Sequence, residues 1–418
     1  MNRTFRVVIF VVFAVILVGP LAAQQGEVVA REGKGWLERR DGRLVLHVKG
    51  TPYEMGFQHG VLVRDMVRKN VQSILDNQGP IGRTDGYRAY KSLRGLLHAV
   101  LRRYVPARIK EEMRGLADGS GVSFDDVEAS HYFPEAFHCS GMSLQGDATR
   151  DGSLYHVRIL DYLTEAGLQE TAMVIDHEPE GFHRWLNVGF AGFVGSVTGM
   201  NEARITIGEM GGGGRGYYSG IPMAFLLRDA LERASTLDEA LEIFRTAPRT
   251  CEYYYVISDA KIPDARGVYA TPEVFETAAP GTRYGFVRVG KPPAGAVDGK
   301  VFLDPDQVEI GEHHILFKNK AHQVEAFVAL QPKDCVVISG YDRYQHFVDR
   351  LMPRYGQVDE RALMEMVKRP VSMKHNLHVA IFHPGTLEAW IAVAAPDGSP
   401  ACDQPYFHYS MQEEGPGE

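Results

Sequence analysis

Apolar and polar positions change rhythm twice along the chain. In GWLERRDGRLVLHVKG, residues 35–50, they alternate around Asp41-Gly42, which predicts a β-hairpin turning at that pair. In MGFQHGVLVRDMVRKNVQSIL the spacing lengthens to three and four. Val63, Met66, Val67, Val71, Ile74 and Leu75 then fall on one stripe of an amphipathic helix. Leu93, Leu96, Leu97, Val100 and Leu101 mark a second helix, limited by Pro106. GVSFDDVEASHYF predicts a third, with Ser123 as its N-cap. Residues 51–137 therefore read as mostly helical.

From Cys139 alternation by two returns. CSGMSLQGDA and SLYHVRILDY predict two strands around the turn TRDG, residues 149–152. AMVIDHE, RWLNVGF and ARITIGEM continue the strands. A helix starts near Pro222, and another is capped by Thr236 with Glu239 three residues on, a capping box. EYYYVISDA is a further strand, and LHVAIFHPGTLEAWIAVA predicts a hairpin turning at Pro384-Gly385. GKPPAGAVDG reads as a surface loop. Antiparallel strands with helices grouped between them define an α+β fold in which helices pack on sheets.

The N-terminal 28 residues stand apart. Arg3 and Arg6 precede an apolar run from Val7 to Val18, broken by Gly19-Pro20 and followed by Ala22 and Ala23. That is the layout of a secretory signal over residues 1–23, too short to span a bilayer comfortably. An uncleaved N-terminal anchor is the other reading. With no second run of membrane length, the expectation is a secreted or periplasmic protein with no stable membrane insertion after signal removal. Composition adds little: 418 residues, 44% hydrophobic, 23% charged, suit one large domain or two of medium size. A formal charge of −8 leaves no basic footprint for nucleic acid.

Chemistry enters through the cysteines. Cys139, Cys251, Cys335 and Cys402 match no zinc spacing. Two bridges could form among them, or Cys139 could stay apart and leave three. Cys139 opens a strand of the hairpin. With a turn at 149–152, Arg158 lies opposite Ser143 and shares the face of Cys139. Asp161 falls on the other face of a regular ladder and reaches the site only at a frayed end or a bulge. Positive charge lowers a thiol pKa from about 8.5. A base is still required. A cut before Cys139 would free its α-amine, whose unperturbed pKa is roughly 7.7–8.0, next to its own sulfur. Asp161 could orient that amine. On spacing alone, a buried core thiol or half of a disulfide is the favoured reading of Cys139.

Several stretches, in order, resemble the N-terminal-nucleophile hydrolases, and within them the autoproteolytic cysteine acyltransferase and hydrolase family that includes isopenicillin N acyltransferase. Bile salt hydrolases, penicillin V acylases and acid amidases are more distantly similar. GTPYEMGFQHG resembles the family's N-terminal segment, EEMRGLADGSGVSFDDV the helical region before the cut, and HCSGMSLQGDATRDGSLYHVRILDY the nucleophile hairpin. TGMNEARITIGEM, GYDRYQHF and LHVAIFHPGTLEAWIAVA carry the likeness to about residue 395. The resemblance implies an αββα sandwich of two antiparallel sheets flanked by helices. It implies Cys139 as nucleophile with its amine as base, Arg158 on the substrate side and Asp161 orienting the amine. Asn201 would be an oxyanion-hole donor, and Arg343 a late arginine near the site. Asn319 in LFKNKAH is matched too, although the segment departs from the family's usual strand-end pattern. Cleavage between His138 and Cys139 would leave an α fragment, 24–138, associated with a β fragment, 139–418, with Ser140 beside the nucleophile.

The function expected is an exported, self-cleaving enzyme that hydrolyses linear, non-peptide amides through a thioester. Acyl transfer onto an amine, or an inert secreted binding protein of the same fold, are the alternatives. The partner expected is a small-molecule amide, with no cofactor and no metal. Gly211, Gly213 and Gly216 form a G-x-G-x-x-G, but no parallel βαβ unit surrounds it, so a loop near the substrate pocket is expected, with Arg215 on it. His313 and His314 are adjacent and point to opposite faces of a strand, and His375 and His378 suit structural roles.

Overall fold

The computed structural model describes residues 26–75, 95, 97–132, 139–162, 164, 167–211, 217–282, 308–310, 314–318, 324–329 and 331–413. The signal segment, His138, Arg215, His313 and Asn319 lie outside the described residues. A ten-stranded sheet contains β1 (Glu27–Glu32), β2 (Gly35–Arg40), β3 (Arg43–Gly50), β6 (Ala172–Pro179), β7 (Trp185–Phe190), β8 (Thr198–Asn201), β9 (Ile205–Gly211), β10 (Tyr253–Asp259), β11 (Asp264–Ala270) and β12 (Phe275–Ala278), side by side in that order. A six-stranded sheet has the order β16 (Cys335–Ile338), β4 (Ser140–Gly146), β5 (Gly152–Asp161), β17 (Asn376–His383), β18 (Glu388–Val393) and β19 (Phe407–Ser410). Strands β13 (Val308–Ile310), β14 (His314–Lys318) and β15 (Val324–Ala329) form a small third sheet.

The helices are α1 (Pro52–Leu62), α2 (Arg64–Leu75), α3 (Ala107–Ser120), α4 (Phe124–Ser130), α5 (Met223–Arg233), α6 (Leu237–Thr246), α7 (Tyr341–Leu351) and α8 (Glu360–Met366). The two large sheets pack face to face: a Cβ on Gly141 of β4 would touch Met210 of β9 and Val256 of β10. On the other face of the ten-stranded sheet a Cβ at Gly199 would meet Leu231 of α5. α6 packs on β10, α1 on β3, and α8 on β17 of the second sheet. This is the expected αββα layering. All pairings within the two large sheets are antiparallel except β3 with β6, where Val45–Gly50 run parallel to Val174–Pro179.

Local signals explain most elements. Asp41 and Gly42 both have positive φ, the two-residue turn that matches strand twist. Thr51 and Glu54 close a reciprocal capping box on α1. Ser123 caps α4 and Thr236 caps α6, but Glu239 reaches back to the backbone of Ser235 instead of Thr236. α1 and α3 cross at a backbone contact: Cβ atoms on Gly56 and Gly115 would lie 1.9 Å from the Glu112 carbonyl oxygen and 2.1 Å from that of Tyr53. The β4–β5 hairpin differs from the expected register. Arg158 pairs with Gly141, not Ser143, because the turn lies at 147–151, earlier than expected; the shift between Leu144 and Gly146, where Gly146 takes a positive φ, makes up only one residue of the difference.

Candidate active site

Cys139 stands one step before β4, whose first residue, Ser140, pairs with Ile159 of β5. Its side chain is 5% exposed, and β5 brings the fully buried Arg158 beside it on the face turned to the ten-stranded sheet. Gly208 of β9 makes room: a Cβ there would lie 2.9 Å from Cδ of Arg158. Arg158 donates to the Ile159 carbonyl and reaches Glu209 at 3.4 Å. Burial pushes the Cys139 thiol up from its ordinary value. Arg158 opposes this by charge and hydrogen bonding, whereas the Glu209 and Asp161 carboxylates add to it. In the uncut chain the sulfur is therefore a thiol near neutrality, and attack requires a base.

Asp161 occupies the opposite face of β5, as the spacing predicts. The irregularity that the geometry demands is present in the neighbouring strand, between Asn376 and His378 of β17. Arg343 of α7 links the two faces. Its Nη1 donates to Asp161 at 2.5 Å and its Nη2 to the Cys139 carbonyl oxygen at 3.2 Å. The other carboxylate oxygen accepts from the Met373 N–H (3.0 Å) and Asn376 Nδ2 (3.2 Å). Burial lifts the Asp161 pKa above the usual carboxylate range, and Arg343, the Met373 N–H and Arg158 hold it back. Ser140 turns away from the sulfur, with Oγ 2.6 Å from that of Ser339.

Cys139, Arg158, Asp161 and Arg343 thus come together. Asn201 does not join them as an oxyanion donor. Its Nδ2 donates to the carbonyls of Leu231 and Ala234, both at 2.8 Å, and its Oδ1 accepts from the Ile205 N–H at 2.9 Å. The amide is used up in capping the C-terminal end of α5 and closing the β8–β9 turn. Two participants escaped the sequence reading. Glu209 was passed over as part of an apolar strand, although a lone carboxylate inside ITIGEM is itself unusual. Asn376 gave no signal of its own.

The site opens on an apolar cavity of about 620 Å³, its mouth included, lined among others by Ile74, Leu160, Phe190, Phe193 and Val197. Tyr162 and Glu209 also line it, and both lie within electrostatic reach of Cys139. Such a cavity accepts an apolar group, and a thiol close to it can attack a carbonyl carried on that group. Among the described residues the set that could hold a metal is His98, Asp125 and Glu128, with ligand atoms within 4.8 Å of one another. Arg102 lies 3.6 Å from the same Glu128 oxygen that His98 contacts, a charge that disfavours a cation there.

The model of the acyl-coenzyme A:6-aminopenicillanic acid acyl-transferase family matches residues 148–273, which include Arg158, Asp161 and Glu209 and begin just after Cys139. An uncharacterised protein of Archaeoglobus fulgidus is 26% identical over 368 residues, covering 78% of this chain and 58% of its own length. A Caenorhabditis elegans protein named N-acylethanolamine-hydrolyzing acid amidase is 24% identical over 179 residues, 38% of this chain and 50% of its own. A solved structure of the C. elegans ortholog of that amidase covers 64% of this chain and 99% of its own, with 17% identity and a TM-score of 0.40. The chain thus spans a little over half of the archaeal relative and half of the nematode one. The family model's match, residues 148–273, takes in the second strand of the hairpin and Glu209 and covers under a third of the chain.

Proposed function

We propose that this chain is an exported, self-processing cysteine amidase for linear, non-peptide amides that carry an apolar acyl group. In maturation the Cys139 sulfur attacks the carbonyl carbon of His138. The C–N bond breaks, the amine takes the thiol proton, and a thioester forms. Water hydrolyses it, leaving a carboxylate on His138 and a free thiol and α-amine on Cys139. In turnover that amine accepts the thiol proton, and the sulfur attacks the substrate carbonyl. The acyl group passes to sulfur, the protonated amine leaves, and water releases the acid. Arg158 supports the thiolate, and Arg343 with Asp161 fixes the first residue of the β fragment. One observation carries this reading: Cys139 stands beside Arg158, with its carbonyl held by Arg343, and within electrostatic reach of Tyr162 and Glu209, which line an apolar cavity. The name of the nematode relative points to the same class. Transfer onto an amine is favoured by the family model's name. Outside the cytoplasm, where acyl-coenzyme A is not expected, water is the acceptor.

Processing is the test. Denaturing gel electrophoresis should give bands of about 13 and 31 kDa, in proportion to the 46.5 kDa of the whole chain. Mass spectrometry should find Cys139 at the N-terminus of the larger fragment, and Cys139→Ala should leave one band. An intact wild-type chain that resists a thiol-directed acyl probe would favour the inert binding protein. Adding an amine acceptor separates free acid from new amide.

A further inference from the structure

We infer that Phe190 is the chain-length stop of the acyl cavity, standing in a wall one ring thick that seals off a second apolar cavity. This rests on the reading of the first cavity as the acyl site. The second cavity, about 400 Å³ with its open mouth included, lies between the sheets and is lined among others by Ala172, Val174, Val188, Ile391 and Phe407. Its inner end abuts the first cavity. Phe190 of β7 lines the first while its neighbours Val188 and Gly189 line the second. Likewise Leu377 of β17 lines the first and His378 the second. The Phe190 and His378 rings stack with centroids 6.4 Å apart and close the gap between the sheets. Ala172, the cross-strand partner of Phe190, lines the far side. The core divides at the same place: Phe190 and Leu377 belong to one apolar cluster, Val188 and Ile391 to another, and Ala172 packs against both.

His378 is held in the wall by Thr198, whose Oγ1 lies 3.1 Å from its Nε2. Phe190 has no comparable tether, because its side chain is hydrocarbon. It is the part of the wall that substitution can remove without stranding a buried polar group. Behind it most of the lining is apolar, His378 and Arg43 being the polar members, and the far cavity reaches the surface at exposed Arg43. A straight acyl chain entering past Cys139 therefore meets the Phe190 ring as its end stop, and only with that ring gone does it find further apolar surface.

The test compares octanoyl and palmitoyl amides of one amine. In Phe190→Ala the palmitoyl-to-octanoyl ratio of kcat/KM should rise by at least about tenfold over wild type, what burying roughly two further methylenes is worth. Phe190→Leu, a gentler change, should move it the same way by less. Adding Val188→Phe to Phe190→Ala refills the far cavity and should return the ratio toward wild type. Thermal melts establish that each variant is folded; if Phe190→Ala is not, Phe190→Leu gives the answer. An unmoved ratio in a folded variant overturns the proposal. Wild type that cleaves neither amide fails the amidase reading instead. The wall is then judged by displacement of a fluorescent fatty acid with octanoate and palmitate, where an unchanged preference between wild type and variant overturns it.

Discussion

Around Cys139 burial and charge pull against each other, and the side chains near it mark how the conflict is settled. A thiol raised by burial is a poor nucleophile, so Arg158 and a nearby base matter more than they would at the surface. Arg343 contributes geometry: one fork spans Asp161 and the Cys139 carbonyl. A lysine offers one point charge in place of two directed donors. Arg343→Lys should therefore lower kcat on the order of a hundredfold while the chain still folds, checked by steady-state kinetics beside a thermal melt. A second prediction concerns pH. His131 and His59 accept hydrogen bonds from the Val194 and Gly192 N–H groups, and burial lowers them to about 4 and about 3. Their rings stay neutral in the fold, whereas in the unfolded chain they take a proton near pH 6.5. Stability is full above that pH and falls as pH drops from about 6.5 toward 4, by about 3 kcal/mol for each such group. Denaturant midpoints at pH 7 and pH 5 measure the fall, which should shrink in His131→Gln. Cys139, Arg158 and Asp161 were legible because one hairpin carries all three. Glu209 was not, because it meets Arg158 across the gap between sheets. Asn201 was misread because nothing local tells that the α5 carbonyls need its amide.

Elements announced themselves where a turn or cap fixes the backbone. Asp41-Gly42, Pro384-Gly385 and Ser123 each stand where the pattern put them. The β4–β5 register differs because the turn falls at 147–151, two residues before TRDG, and nothing in the alternation marks where it starts. β1, β12, β16 and the two C-terminal helices escaped notice, being short or set among residues of mixed pattern. The α1–α3 crossing was overlooked for a different reason. Gly56 and Gly60 are four apart, as are Gly115 and Gly119, and only the facing helix shows that each spacing makes a groove. A Cβ on Gly56 has backbone, not a flexible side chain, against it at 1.9 Å. Gly56→Ala must push the helices apart. The expected cost is about 3 kcal/mol or more of stability, read from denaturant unfolding, because the move strains a packed core. A helix propensity gain of about 1 kcal/mol is too small to offset it. Ala at exposed, unhindered Gly95 in the neighbouring helical stretch is the control and should not destabilise.

On the scale of the molecule the proposed cut before Cys139 would divide the chain without dividing the fold. β1–β3 precede it, yet β3 lies in the ten-stranded sheet against β6, which follows it. Glu112 of α3 and Arg228 of α5 form a buried ion pair across the same divide, and Arg228 also binds Glu232 and the Val194 carbonyl. The apolar cavity spans the same point of the chain: Asn70, Ile74 and Ser130 come from before Cys139, Leu160, Phe190 and Val197 from after it. Separating the fragments would expose a sheet edge, strand buried charges and open the cavity, costs far larger than the one peptide bond that cleavage removes. The processed protein should therefore migrate as one species in native size-exclusion chromatography, with both fragments in the peak. It should unfold in a single transition and yield separate fragments only in denaturant. A β fragment produced alone from Cys139 should have the nucleophile and its free amine but neither solubility nor activity, and refolding it with the α fragment should restore both. Full activity in the isolated β fragment would mean that the elements before the cut do not complete the site.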